Sequence, residues 1–221
     1  MDHPLADIQN HLIELLPSAD RKRLLALCEP VQLALADVLY ESGARTRHAW
    51  FPVDGFISLI ARVDLHPGLE VGMVGREGML GAHLALGVAR APLRALVQGP
   101  GTAWRITTGN FREELASSAA LRSVMARYTH VLMAQLATSA ACLRFHLIGP
   151  RLARWLLMSQ DRAHANHFCM TQEFLAYMLG VRRVGITTAA STLPPRGLIA
   201  YRRGHLSGLD RCGLEAMACA C

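Results

Sequence analysis

The stretch that most constrains this chain is residues 171–199, TQEFLAYMLGVRRVGITTAASTLPPRGLI. Its small, apolar and glycine positions fall where two helices crossing at a tight turn require them. Ala176 is small where the helices would touch, and Gly180 tolerates a positive φ at the turn. Leu175, Leu179, Val181, Ile186 and Ala189 repeat at the spacing of an inward face. Thr171 precedes the first helix as its N-cap. Arg182 and Arg183 open the second helix, at the end that enters a DNA major groove in helix-turn-helix proteins.

Charge supports a polyanionic partner for that region. Residues 147–221 carry nine arginines against four acids, a net of +5, whereas residues 1–146 carry fourteen basic residues against thirteen acids, a net of +1. At 221 residues the chain is long enough for two modest cores. The opening MDHPLADIQNHLIELLP lacks the basic and apolar regions of a signal peptide, so a cytoplasmic location is expected. The apolar-leaning stretch 131–143 is too short and too polar to span a bilayer, and no membrane partner is expected. Six cysteines without a C-x-x-C pair predict free thiols, and Cys219 and Cys221 read as accidental ones.

The rest of the chain divides by periodicity. Helices are expected at 6–16 and 21–27, the second capped by Ser18 or Asp20. From Val31 to Ile106 come short β-branched and aromatic runs (VQLAL, VLYE, HAWFPV, FISLIARV, LEVGMV, LRALV, TAWRI). Gly43, Pro52 to Gly55, Pro67-Gly68, Gly75 to Gly81 and Gly99-Pro100-Gly101 separate them, predicting an antiparallel sandwich or jelly roll. After a short helix at 110–115, residues 119–146 lack Gly and Pro and predict a helix on the order of 40 Å long. Leu121, Met125, Tyr128, Leu132, Gln135, Ser139, Cys142 and His146 follow a 4-3 spacing along it. Such a stripe fits pairing with a second copy, and the alternative is a helix lying on its own chain's sandwich. Gly149-Pro150 is expected to break that helix, with 151–158 starting the next one. Residues 161–170 read as a polar connector with room for a short hairpin, and 198–209 as a wing of two strands around Gly204.

The order of these parts, with VLYESG, FPVDGFISL, VGMVGREGMLG, RLARWLLMSQDR and TQEFLAYMLGVRR, resembles the Crp/Fnr family of bacterial transcription regulators over nearly the whole chain. The resemblance implies an α+β fold: a cyclic-nucleotide-binding-like sensor at 1–117, a dimerisation helix and hinge at 118–148, and a winged helix-turn-helix at 149–221. It also implies a homodimer reading a palindromic operator in double-stranded DNA, with RNA polymerase and a small-molecule effector as further partners. Aligned on the family motif, Arg183, Val184 and Thr188 face the bases, with Arg182 and Thr187 beside them and Thr171 and Gln172 at the start of the preceding helix. Arg202, Arg203 and His205 in the wing would touch phosphates. The same arginines at a helix start could instead be solvated end charges. A ligand-sensing or protein-interaction module with a degenerate helix-turn-helix is the alternative function, because Gly185 and Pro194-Pro195 weaken the second helix.

In relatives that bind cyclic nucleotide, a Gly-Glu pair holds the ribose and an Arg-Ser or Arg-Thr pair the phosphate. This chain reads Gly75-Arg76-Glu77-Gly78 and Arg90-Ala91-Pro92-Leu93-Arg94, so standard cyclic-nucleotide binding is not expected. Gly75, Arg76, Glu77, Gly78, Arg90 and Arg94 are candidate contacts for some other effector, and a merely tight turn is the simpler account of the glycines. Met73, Met79, Leu80 and Leu84 would line an apolar pocket or fill the core. Neither enzyme motifs nor a cofactor is expected. His164, His167 and Cys169 lack a fourth ligand, so no metal site is expected there.

Overall fold

The computed structural model describes residues 10–62, 68–163, 167–194, 197–202, 205–207 and 210–221, with the backbone alone for 167–169, 201–202 and 205. The chain divides into two compact units, one of residues 1–59 and 73–134, the other of residues 60–72 and 135–221.

The strands as far as Thr107 fall on the runs expected. They are β1 (Glu29–Leu33), β2 (Val38–Tyr40), β3 (His48–Pro52), β4 (Phe56–Ala61), β5 (Leu69–Val74), β6 (Arg94–Gly99) and β7 (Gly101–Thr107). They belong to the first unit except for the end of β4 and most of β5, whose residues 60–61 and 69–72 count with the second. They form two sheets, ordered β1-β7-β3 and β2-β6-β4-β5. Leu33, Trp50 and Ala103 from one sheet share a buried core with Ile57, Leu59, Val74 and Val97 from the other. Strand alternation then decides what the opposite face of β3 and β7 does. Ala49, Phe51 and Ile106 point away from that core into a second one, built with Leu12, Ile13, Leu24, Phe111, Leu121, Val124, Met125 and Tyr128.

Helices supply that second layer. They are α1 (His11–Glu14), α2 (Ser18–Ala26), α3 (Thr108–Ser117) and the first part of α4 (Ala119–Phe145). Asn10 caps α1, its Oδ1 accepting from Ile13 N; residues 6–9 of the expected first helix lie outside the described residues. Neither Ser18 nor Asp20 caps α2, because Pro17 is the N-cap and both expected caps fall inside the helix. Proline's fixed φ suits a helix entry, so the helix starts earlier than a hydroxyl cap implies.

The 4-3 stripe on α4 is real, but a second copy does not cover its first half. Leu121, Met125 and Tyr128 are buried in the core of their own unit. Spacing marks a face and is silent about what covers it. Among the described residues no helix is long and apolar enough to cross a membrane.

The second unit contains the end of α4, α5 (Ile148–Ala163), β8 (His167–Cys169), α6 (Gln172–Leu179), α7 (Arg183–Ser191), β9 (Ala200–Arg202), β10 (His205–Ser207) and α8 (Arg211–Met217). The break after α4 falls at His146-Leu147, ahead of Gly149-Pro150. Pro150 sits in the first turn of α5, where its missing N–H leaves no intrahelical bond unmade. Leu152, Trp155, Leu156, Leu175, Leu179, Ile186, Leu193, Leu198, Leu206 and Leu214 are buried here. Among the described residues of the expected connector, Asp161 to Ala163 end α5 and His167–Cys169 form β8, which joins the wing in the order β8-β10-β9; residues 164–166, where a hairpin would turn, lie outside the described residues. Helix α8, which lies against α5, had no counterpart in the periodicity reading.

Candidate nucleic-acid interface

The turn between α6 and α7 is built as its sequence demands. Thr171 Oγ1 accepts from Phe174 N at 3.1 Å and opens α6. Gly180 closes that helix in the left-handed region, φ 62° and ψ 39°. Its N–H donates to Tyr177 O at 3.2 Å and Val181 N–H donates to Ala176 O at 3.0 Å, the two bonds of a Schellman ending. A Cβ on Gly180 would stand 2.5 Å from Leu69 Cδ1, so close packing as well as φ requires glycine. A feature that the sequence reading missed supports the same helix end: the buried Arg151 on α5 donates from Nη2 to Leu179 O. An arginine in an apolar-leaning helix carries no local sign that it caps another helix.

Helix α7 runs unbroken through Gly185. Ile186, Ala189 and Ala190 are buried, whereas Arg182, Arg183, Val184, Thr187 and Thr188 are exposed. Val184 is 76% exposed, on the same outward side as Arg183, Thr187 and Thr188. Among the described residues none forms an ion pair with Arg182 or Arg183. Both border an open cleft of about 940 Å³, shared with Thr171, Phe174 and Tyr177. Arg182 is the N-cap and Arg183 the first residue of α7, at the helix end whose unpaired N–H groups favour an anion.

Thr187 and Thr188 also serve the helix itself. Their hydroxyls donate to Arg183 O at 3.1 Å and Val184 O at 3.0 Å. Gln172 reaches Thr187 from the start of α6, at 2.8 Å from Oε1 to Oγ1, so two of the expected DNA contacts touch each other. In the wing, Arg202 and His205 are paired residues of β9 and β10. Arg203 lies outside the described residues, as does His164 of the histidine-cysteine set.

The candidate effector residues belong to the first unit, and each has structural work there. Glu77 Oε1 accepts from Gly75 N at 3.2 Å, so this amide already faces a carboxylate. Arg76 O accepts from His11 N at 2.8 Å, and Gly78 O accepts from Asn10 Nδ2 at 2.9 Å. Tyr128 donates to Met79 O at 3.0 Å, and a Cβ on Gly78 would stand 2.4 Å from its hydroxyl. Arg90 donates to Gly43 O at 2.7 Å, and Arg94 pairs with Glu41 at 3.3 Å. Met73, Met79, Leu80 and Leu84 are at most 3% exposed, so they fill the core. A separate cavity of about 170 Å³ lies among Tyr40, Arg45, Arg47, His48 and Trp50.

Comparison with known proteins places these features. Residues 150–217 match the model of the Crp-like helix-turn-helix domain. No curated protein sequence matches the chain. Among solved structures, a transcriptional regulator of the Crp/Fnr family from Eubacterium rectale superposes with a TM-score of 0.74 at 15% identity. That match covers 96% of this chain and 99% of the other. FixK2 from Bradyrhizobium japonicum gives 0.72 at 13% identity, over 88% and 98% of the two chains. A CRP/FNR-family regulator from Thermus thermophilus gives 0.70 at 21% identity, over 86% and 98%. At these identities the structural likeness establishes the fold.

Proposed function

We propose, from a chain whose residues 150–217 match the Crp-like helix-turn-helix domain and whose fold is like that of Crp/Fnr transcription regulators, a DNA-binding regulator that works as a homodimer on a palindromic operator. That family and fold are those of regulators and not of enzymes. The observation carrying the reading is the two-sided α7: Arg183, Val184, Thr187 and Thr188 outward, Ile186, Ala189 and Ala190 inward.

Arg183 reads guanine, because a guanidinium can donate two hydrogen bonds to O6 and N7, worth about 1 to 3 kcal/mol of discrimination. Val184 and the methyl of Thr188 offer apolar contact to thymine methyl groups. Arg182, Thr171, Gln172 and the wing residues Arg202, Arg203 and His205 hold phosphates and fix the register.

Dimerisation uses a face of α4 other than the one its sequence stripe marked. Val131, Ala134, Thr138, Ala141 and Phe145 also follow a 4-3 spacing; Val131 is 57% and Phe145 76% exposed. Pairing there would carry two recognition helices to successive major grooves, about 34 Å apart. The N-terminal unit senses a small-molecule effector and shifts the population of DNA-competent dimers, with RNA polymerase the downstream partner and the cytoplasm the place of action. An anionic effector in this unit would have to displace contacts already made there, since Glu77 holds the Gly75 amide, Gly43 O holds Arg90 and Glu41 pairs with Arg94.

Selection of binding sites from random duplex DNA with the purified chain tests this. The expected product is an inverted repeat, for which Arg183→Ala loses preference at one position per half-site. If no sequence is enriched, the chain is a sensing or interaction module with a silent helix-turn-helix.

A further inference from the structure

Four side chains able to bind a soft metal meet where α4 ends. They are Cys142, His146, Cys219 and Cys221, and their ligand atoms all lie within 4.8 Å of one another. Cys142 Sγ is 3.5 Å from Cys219 Sγ, and Cys221 Sγ is 3.4 Å from His146 Nδ1. We propose that they form a tetrahedral Cys3His site for a zinc ion, which fastens the segment after α8 to the end of α4.

The backbone explains why these residues converge. Cys142 and His146 are four apart, and His146 N–H donates to Cys142 O at 3.1 Å, so the helical turn continues past Phe145 and stacks both on one face. After α8 the backbone turns extended at Ala218, with φ −65° and ψ 155°. In an extended segment residues two apart share a side, which presents Cys219 and Cys221 together. Neither pair is a zinc motif by sequence, and α8 is the element that returns the second pair to the first.

The distances suit zinc better than a disulfide. Zinc–sulfur bonds of about 2.3 Å and zinc–nitrogen bonds of about 2.0 Å give tetrahedral edges of roughly 3.5 to 3.8 Å. The pairs Cys142–Cys219 and Cys221–His146 already stand near that separation, and all four atoms lie within 4.8 Å of one another. A bond between Cys142 and Cys219 would need the sulfurs at about 2.0 Å and would leave His146 and Cys221 without a role. Three thiols and an imidazole are ligands for zinc rather than for magnesium or calcium.

Charge and access agree. A zinc ion bound by three thiolates and an imidazole nitrogen gives the filled site a net charge of −1. Arg151 and Arg154 on α5 both act electrostatically on Cys142 and Cys219, and supply the compensating field. Cys142 is buried, Cys219 half-buried, and His146 and Cys221 exposed, which leaves a path from solvent. Because α8 packs on α5, a filled site would brace the elbow at His146-Leu147, between α4 and α5.

The test uses the reduced 221-residue chain, titrated without air with Zn²⁺ alone and, separately, with Co²⁺ as a spectroscopic probe. One equivalent of zinc is expected to survive dialysis, and the cobalt form to show tetrahedral d–d bands with thiolate-to-metal charge transfer. Cys142→Ser could fail to fold, so the decisive variant is the double Cys219→Ser, Cys221→Ser, which changes two residues outside any helix. It should keep the apo chain's circular dichroism and lose the equivalent, whereas Cys28→Ser keeps it. The site is overturned by reduced wild type holding no stoichiometric metal, by an octahedral cobalt spectrum, or by binding that the double variant leaves intact.

Discussion

Thr187 on α7 and Gln172 at the start of α6 hold each other, with Oγ1 and Oε1 2.8 Å apart. The Thr187 hydroxyl has a single proton and also lies 3.1 Å from Arg183 O. Both contacts are satisfied when the hydroxyl donates to Arg183 O and the Gln172 amide turns its NH2 toward Thr187. The pair therefore ties the start of α6 to the exposed face of α7.

Thr187→Val should lower the stability of the second unit by about 0.5 to 1.5 kcal/mol, as should Gln172→Ala. The double variant should cost little more than either single one, because the two changes remove the same interaction. Chemical unfolding of the four proteins measures the coupling. Strict additivity would mean that the two side chains act separately.

Gly185 is needed by neither backbone nor packing. A Cβ there would find Val181 Cβ as its nearest neighbour, at 4.0 Å, in the middle of a formed helix. Gly185→Ala should therefore stabilise α7 by about 1 kcal/mol. A raised urea midpoint with operator affinity retained is the expected result. Loss of affinity would instead show that DNA comes close to the backbone at this position.

Arg151→Met should destabilise the second unit by about 1 to 3 kcal/mol, because Leu179 O loses a charged donor in a buried setting. Arg151→Lys should recover part of that loss, since an ammonium also favours a helix C-terminus. Thermal melts of the three proteins decide it. Equal melting temperatures for wild type and the methionine variant would remove the cap from the account.

His83 gives the first unit a pH dependence of definite sign. Its Nε2 is 2.8 Å from Thr46 Oγ1, and its ring meets Tyr40 edge-on at 6.0 Å. Burial, and then the charge of Arg112, hold its pKa below the ordinary 6.5. The unfolded chain therefore takes up the proton first, so stability falls as pH drops below about 6.5 and levels off beneath the folded value. His48, lowered chiefly by burial, adds in the same direction. Urea midpoints measured from pH 7.5 to 5.5 should slope less steeply in His83→Gln, and an unchanged slope would falsify the assignment to His83.

A charge on the exposed face of α4 should prevent the proposed dimer from forming. Val131→Glu with Ala141→Glu places carboxylates on a stripe that is apolar or small in the wild type, without touching Leu121, Met125 or Tyr128 inside. Light scattering across a concentration series should show dimers for wild type and monomers for the variant, with circular dichroism unchanged. A variant that remains dimeric would place the seam elsewhere.

Much of the molecule was legible in the chain itself. Period-two runs between glycines and prolines gave the strands. The residues from Thr171 to Ile186 gave the helix-turn-helix, because a cap, a left-handed turn and an inward face are local demands that few sequences meet by chance. The exposed row on α7 was legible for the same reason, since knowing which residues face inward leaves the others outside.

What faces what was settled by tertiary structure alone. The stripe on α4 has the spacing of a dimer seam, yet Leu121, Met125 and Tyr128 lie against their own sandwich, since periodicity defines a surface and not its occupant. The Gly75–Gly78 segment has the glycines of an anion cradle, but its own Glu77 takes the Gly75 amide, and Asn10 and Tyr128, distant in sequence, use its polar groups or pack against it. Cys142 and His146 stand more than seventy residues before Cys219 and Cys221, and one short helix that no periodicity announced brings them together. Local propensity acts over a few residues, whereas ligand sets and interfaces depend on distances that only the packed chain defines.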